Sequence, residues 1–176
     1  MMTVFVAGIH GVGKTFLCAP VAKQLGIRHV TASQLIREER GLQSWCADKR
    51  VSGVEENQSA LISAANRLRS ANKKLLLDGH FVLRLPNGEF NEIDTQVFRD
   101  LQIGAVLLLE AELDTVIERL KARGDTSWTA SELQILAKRE EERAYRVSSA
   151  LDIPFRALHS PSERLFRDIV EVIIRN

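Results

Sequence analysis

Gly8-Ile9-His10-Gly11-Val12-Gly13-Lys14-Thr15 holds the densest cluster of chemically capable groups in this 176-residue chain. Glycines at 8, 11 and 13 let the backbone take conformations closed to other residues and bring successive amides against an anion. Lys14 supplies a charge able to reach the β- and γ-phosphates of a nucleotide, and the Thr15 hydroxyl is a ligand suited to magnesium. The pattern GxxxxGK followed by Ser or Thr gains meaning from its setting, since it must leave a strand and open a helix. Both conditions are met in the sequence: Thr3-Val4-Phe5-Val6-Ala7 precedes it and a helical period runs from Lys14 to Leu25. The start of that helix adds partial positive charge. The expectation is an ATP and Mg2+ site formed by Gly8, Gly11, Val12, Gly13, Lys14, Thr15 and Phe16. His10 occupies a free position of the loop and is read as an exposed bystander.

A second group of residues suggests what happens to the bound phosphate. Asp78-Gly79-His80 ends an apolar run, and Arg84-Leu85-Pro86-Asn87-Gly88 follows where a sheet edge should face the phosphates. Asp78 is suited to hold magnesium or a magnesium-bound water, or to orient an acceptor oxygen; capping a turn is its structural alternative. His80 either contacts the acceptor or braces Asp78. Further on, Arg119 and Arg123 lie four apart ahead of a short turn, and Arg139 and Arg143 repeat the spacing beyond it. Guanidinium groups converging on a transferring phosphoryl group stabilise the charge on its oxygens. Surface pairing with Glu118 or with Glu140 to Glu142 explains two of the four arginines. Arg123 and Arg139 bracket the turn most closely and are the expected catalytic pair, with Lys14 and Asp78.

These residues need a scaffold, and the rest of the chain describes one. Strands are expected at 3–7, 28–31, 74–78, 104–109 and 153–158, with Pro154 marking an edge strand or one that begins outside the ladder. Helices are expected at 14–25, 54–70, 113–123, 130–150 and 162–174, with starts signalled by Ser131 ahead of Glu132 and by Ser160-Pro161 ahead of Glu163. Strands alternating with helices argue for parallel βαβ units in an open sheet, whose ligands sit beyond the carboxyl ends of the strands. No linker divides the chain, so one domain over 1–176 is expected, with an acceptor-binding segment near 32–70 and a lid near 123–131. The 24 basic and 23 acidic residues are interspersed and give a net charge of +1, which argues against recruitment of nucleic acid or a charged membrane surface. No apolar run reaches the roughly 18 residues of a spanning helix, and no leader pattern is seen, so a cytoplasmic location is expected. Cys18 and Cys46 lack metal-site spacing, and Cys18 reads as a small apolar residue.

The sequence resembles the archaeal-type adenylate kinases within the nucleoside-monophosphate kinases. The matching pieces are GIHGVGKT, the Asp-x-His of LLLDGH with the Pro-Asn-Gly turn after it, residues 101–123, and the long helix bearing Arg139 and ending near Tyr145. The resemblance implies the P-loop NTPase three-layer α/β fold, a mostly parallel five-stranded sheet with helices on both faces and a short lid. It implies ATP binding by Gly11 to Thr15 and lid roles for Arg123, Arg139 and Arg119. Ala32-Ser33-Gln34-Leu35-Ile36-Arg37 is similar to the acceptor-binding segment, which makes Arg37 the monophosphate-holding arginine. The chain departs from bacterial adenylate kinases in lacking Thr-Gly-Asp at that segment, Asp-Gly-Phe-Pro-Arg after the third strand, and a long or cysteine-bearing lid. Lys49, Asn57 and Gln58 fall where the acceptor base is expected; Gln58 is suited to read a purine edge, while a solvated helix face accounts for Lys49 and Asn57. The implied activity is phosphoryl transfer from ATP to a small acceptor, a nucleoside monophosphate with AMP first, or another small metabolite. A regulatory ATP-binding protein is the reading from another class.

Overall fold

The computed structural model describes residues 3–41, 53–70 and 74–175, and Cys46 and Lys49 lie outside the described residues. Strand β1 (Thr3–Ala7) is buried at every residue. A strand so covered needs a neighbour on each side and a layer on each face. Its neighbours are β3 (Leu75–Asp78) and β6 (Ile103–Glu110), both parallel to it. Outside these lie β2 (Arg28–Thr31), paired with β3, and β7 (Phe155–His159), paired with β6. The resulting five-stranded parallel sheet is of the kind the sequence pattern anticipates, and its order is β2-β3-β1-β6-β7. Pro154 precedes the edge strand β7, where its missing N–H breaks no ladder, and its carbonyl accepts the Val106 N–H at 2.9 Å.

Parallel pairing forces crossovers, and helices supply them. After β1 comes α1 (Lys14–Leu25); α2 (Ala32–Arg40) and α3 (Val54–Ser70) join β2 to β3. Before β6 lies α4 (Thr95–Asp100), α5 (Leu113–Ala122) and α6 (Ala130–Leu151) connect β6 to β7, and α7 (Glu163–Arg175) closes the described chain. Two of these helices escape the sequence pattern. Leu35 is the one buried residue of α2, which gives little apolar period to read. The six residues of α4 are too few to show one; the helix is started by Asp94, which accepts the Gln96 N–H at 2.7 Å.

The stretch after β3 also differs from expectation. Instead of facing the sheet edge throughout, it folds into a hairpin of β4 (Val82–Arg84) and β5 (Phe90–Glu92), closed by the Leu85 N–H on the Glu89 carbonyl at 2.8 Å. Pro86 and Asn87 are its exposed tip. The hairpin root is fixed by apolar packing, with the Phe81 ring 5.0 Å from Phe5 and 4.5 Å from Phe98. Helix starts need two corrections. Thr129, not Ser131, caps α6: its hydroxyl takes the Glu132 N–H at 3.2 Å while Glu132 answers to the Thr129 N–H at 2.8 Å, a capping box. At α7 the capping hydroxyl is Ser162, which accepts from Leu165 N–H at 3.2 Å. Cys18 is fully buried, and burial pushes its thiol pKa far up, leaving it inert as the sequence implies.

Candidate functional site

The parallel register sets Val6 opposite Asp78, and the Gly79 N–H reaches the Val6 carbonyl at 3.0 Å. Two chain segments therefore leave the sheet side by side. Gly8 turns out with φ 134°, and a Cβ there would lie 2.4 Å from the Leu109 carbonyl oxygen, so the exit between β1 and β6 admits glycine alone. A Cβ on Gly79 would press 2.8 Å from the Phe5 ring. These contacts hold the glycine-rich loop and Asp78 at one end of the central strands, the ligand-binding end of such sheets.

Lys14 folds back into its own loop, its ammonium donating to the Gly8 carbonyl at 2.6 Å and the Ile9 carbonyl at 3.3 Å. Burial lowers its pKa, against the pull of Asp78 and Glu140. The Thr15 hydroxyl donates to Asp78 Oδ2 at 2.9 Å, and His29 Nε2 stands 3.6 Å from the same oxygen. The sequence linked Thr15 to Asp78 only through metal chemistry; the fold brings them together. Val12 is buried in the loop, whereas Phe16 is 77% exposed beside it and lines the neighbouring cavity.

Glu140 is the residue that sequence reasoning misplaced. Read there as an exposed partner for arginines, it is 1% exposed. Its carboxylate accepts the Gly8 N–H at 3.3 Å, the Phe81 N–H at 3.0 Å and the Val82 N–H at 2.8 Å. Burial raises its pKa to about 7, opposed by the Phe81 amide, Lys14, and the Val82 and Gly8 amides. The available signal was positional: Leu133, Leu136, Ala144 and Val147 form the buried stripe of α6, and 140 falls within it.

His10 is half-buried rather than an exposed bystander. Its ring lies 4.3 Å from His80 and 5.5 Å from Trp128, centroid to centroid. Arg84 continues the stack, its guanidinium 4.4 Å above the Trp128 ring, and donates to the Ser127 carbonyl at 2.8 Å and to Glu132 at 2.6 Å. The turn between α5 and α6 is thereby tied to both the glycine-rich loop and the hairpin. Arg119 joins from α5, donating to the Val12 carbonyl at 2.9 Å.

Beside the loop opens a cavity of about 300 Å³. Lys14, Thr15, Asp78, His80, Gln58 and Arg123 line it, together with apolar side chains such as Ile36, Leu61 and Val97. Two expected residues stand elsewhere. Arg37 is half-buried on α2 and is not part of the cavity wall; its Nε has no hydrogen-bond partner among the described residues. Arg139, next to Glu140 on the helix, is turned about 100° from the buried stripe, and its guanidinium lies 5.7 Å from the Phe90 ring of β5, off the wall. Arg143 likewise serves structure, donating to the Ile93 carbonyl at 2.7 Å and Thr95 Oγ1 at 3.0 Å. Asn57 does not belong to a solvated face: it is 3% exposed and accepts a hydrogen bond from Arg40.

A parallel sheet of this order, with a phosphate cradle at the end of its central strand and a hydroxyl–carboxylate pair beside it, defines a P-loop phosphotransferase. Residues 7–134 match the AAA domain family AAA_17, and the chain belongs to that family. It is 30% identical over 140 residues to the UMP-CMP kinase of Xenopus laevis, covering 72% of this chain and 70% of that one. Adenylate kinase 1 of Drosophila melanogaster is 26% identical over 132 residues, which are 70% of this chain and 55% of the relative's length. Among solved structures, shikimate kinase from Acinetobacter baumannii in complex with shikimate has the same fold, with a TM-score of 0.63, 16% identity, and coverage of 100% of this chain and 94% of that one. The chain is an ATP-dependent phosphotransferase of the kinase class, acting on a small-molecule acceptor. No helix among the described residues is long and apolar enough to cross a membrane.

Proposed function

We propose that the chain is a single kinase domain that transfers the γ-phosphoryl group of ATP to a nucleoside monophosphate, with AMP as the first candidate. The observation that carries this reading is the 2.9 Å contact between Thr15 Oγ1 and Asp78 Oδ2 at the junction of phosphate cradle and cavity. One threonine hydroxyl and one carboxylate suit magnesium, which takes few protein ligands and fills its other sites with phosphate and water. Thr15 and Asp78 would hold it, and it would supply charge neutralisation at the phosphate oxygens. Lys14 exchanges the Gly8 and Ile9 carbonyls for phosphate oxygens. Arg123, at the cavity rim, neutralises the transferring group, and catalysis rests on positioning and charge rather than on a covalent intermediate. His80 and Gln58 line the space for the acceptor, and Arg37 reaches its phosphate if α2 closes inward. The likeness to archaeal-type adenylate kinases is supported by the glycine-rich loop, Asp78-Gly79-His80 with the Pro-Asn-Gly turn after it, residues 101–123 and the long helix bearing Arg139.

Coupled turnover with ATP, Mg2+ and a panel of nucleoside monophosphates tests the reading; ADP at background with every monophosphate overturns it. One observation favours a second acceptor class. Arg37 stands off the cavity wall and much of that wall is apolar, which suits a small alcohol or sugar acceptor without a phosphate. The same assay with hydroxylated metabolites separates the two.

A further inference from the structure

We propose that Glu140 is a positioning residue for phosphoryl transfer, a buried carboxylate that sets the phosphate cradle at a fixed distance from the acceptor wall by holding both from behind. The inference rests on the phosphotransfer reading above. Gly8 opens the cradle, and its carbonyl is the one that Lys14 grips at 2.6 Å. Phe81 and Val82 follow Asp78-Gly79-His80 and begin the hairpin that walls the cavity. The β1–β3 ladder ends with the Gly79 N–H on the Val6 carbonyl, just short of both segments. Beyond that point Glu140 carries the connection: Oε1 accepts from Gly8 and Phe81, Oε2 from Phe81 and Val82, at 2.8 to 3.3 Å.

The chemistry of this clip depends on ionisation. An ionised carboxylate accepts at both oxygens and presents no donor. A protonated acid or a glutamine amide sets a donor against a backbone N–H, which leaves that N–H without an acceptor. The titratable groups facing Glu140 are Lys14 from α1 and His80, whose Nδ1 lies 3.7 Å from Oε1. From the start of the glycine-rich loop, the turn before β4 and β4 itself it meets backbone amides. Burial raises its pKa to about 7, so the clip changes state near neutrality.

The test compares the wild type with Glu140→Gln in ATP and AMP, with kcat and KM measured from about pH 5.5 to about pH 9. The expected result is a KM for ATP within about threefold of wild type and a kcat lower by about tenfold or more. The wild type should decline in kcat below about pH 7, and the variant should lack that decline. A residue that merely stabilises the fold would lower the melting temperature and leave the pH profile unchanged. Equal kcat and an unchanged acid limb in folded Glu140→Gln overturn the proposal. If the wild type makes no ADP from AMP, the AMP reading fails on its own, and basal ATP hydrolysis provides the same comparison. If the variant does not fold, hydrogen-exchange protection factors of the wild-type Gly8 and Val82 amides, each held by one carboxylate oxygen, decide: the clip predicts loss at one of them between about pH 8 and about pH 6, and constant protection of both overturns it.

Discussion

Lys14 is buried, with its charge held on two loop carbonyls and its pKa lowered. Replacing it removes the cation that the loop would offer to phosphates, and Lys14→Ala should lower kcat by about a hundredfold or more, measured by steady-state turnover with folding checked separately. The arginines divide by geometry rather than by type. Arg123 lines the cavity and Arg139 lies over Phe90. Arg123→Ala should lower kcat about tenfold, whereas Arg139→Ala should change it less than about twofold. Equal losses in the two variants would restore the pairing suggested by their places on either side of the turn. That Lys14, Thr15 and Asp78 line one cavity was legible because few residue types suit phosphate and magnesium. Glu140 was not, because an acid inside Lys138-Arg139-Glu140-Glu141-Glu142-Arg143 looks solvated until the phase of the apolar stripe is counted.

At the scale of elements, the turn between α5 and α6 depends on α6 beginning where it does. Glu132 has two tasks there: one oxygen serves the capping box with Thr129 and the other receives Arg84. Thr129→Ala should cost about 1 kcal/mol in urea unfolding and loosen the turn that carries Trp128. Because the Trp128 ring lies 5.5 Å from His10 in the glycine-rich loop, its fluorescence should report nucleotide. In a Trp45→Phe background, emission should shift on adding ATP and Mg2+. No shift at saturating ATP would uncouple the turn from the loop. The long elements were legible because burial on one or both faces imposes a period. The hairpin, α2 and α4 were not, since each is short and takes its shape from neighbours: Phe81 on Phe5 and Phe98 for the hairpin, and the Glu39–Arg67 pair, 2.5 Å apart, for α2 against α3.

Across the whole molecule, stability and activity should respond to pH in opposite senses at one buried group, Glu140. The folded pKa of Glu140, about 7, stands above its ordinary value of 4.5, so the native state holds a proton that the unfolded chain releases. The stabilisation this gives is complete below the unfolded value and is lost as pH rises through the folded one. Between about pH 5 and about pH 8, the wild type should lose up to about 3 kcal/mol relative to Glu140→Gln in chemical denaturation, while its turnover rises. A constant gap between the two proteins would place the carboxyl at an ordinary pKa. Such opposition is common where an active site holds a group in its less comfortable state. The central strand carries a different consequence. β1 is early in the chain, yet its neighbours in the sheet begin at Leu75 and Ile103. During synthesis its apolar run waits unpaired until both have emerged, which favours slow, late sheet closure and engagement by chaperones. The cradle that leaves β1 is therefore incomplete until the sheet has closed, so a nucleotide that binds there should stabilise only chains that have reached that stage.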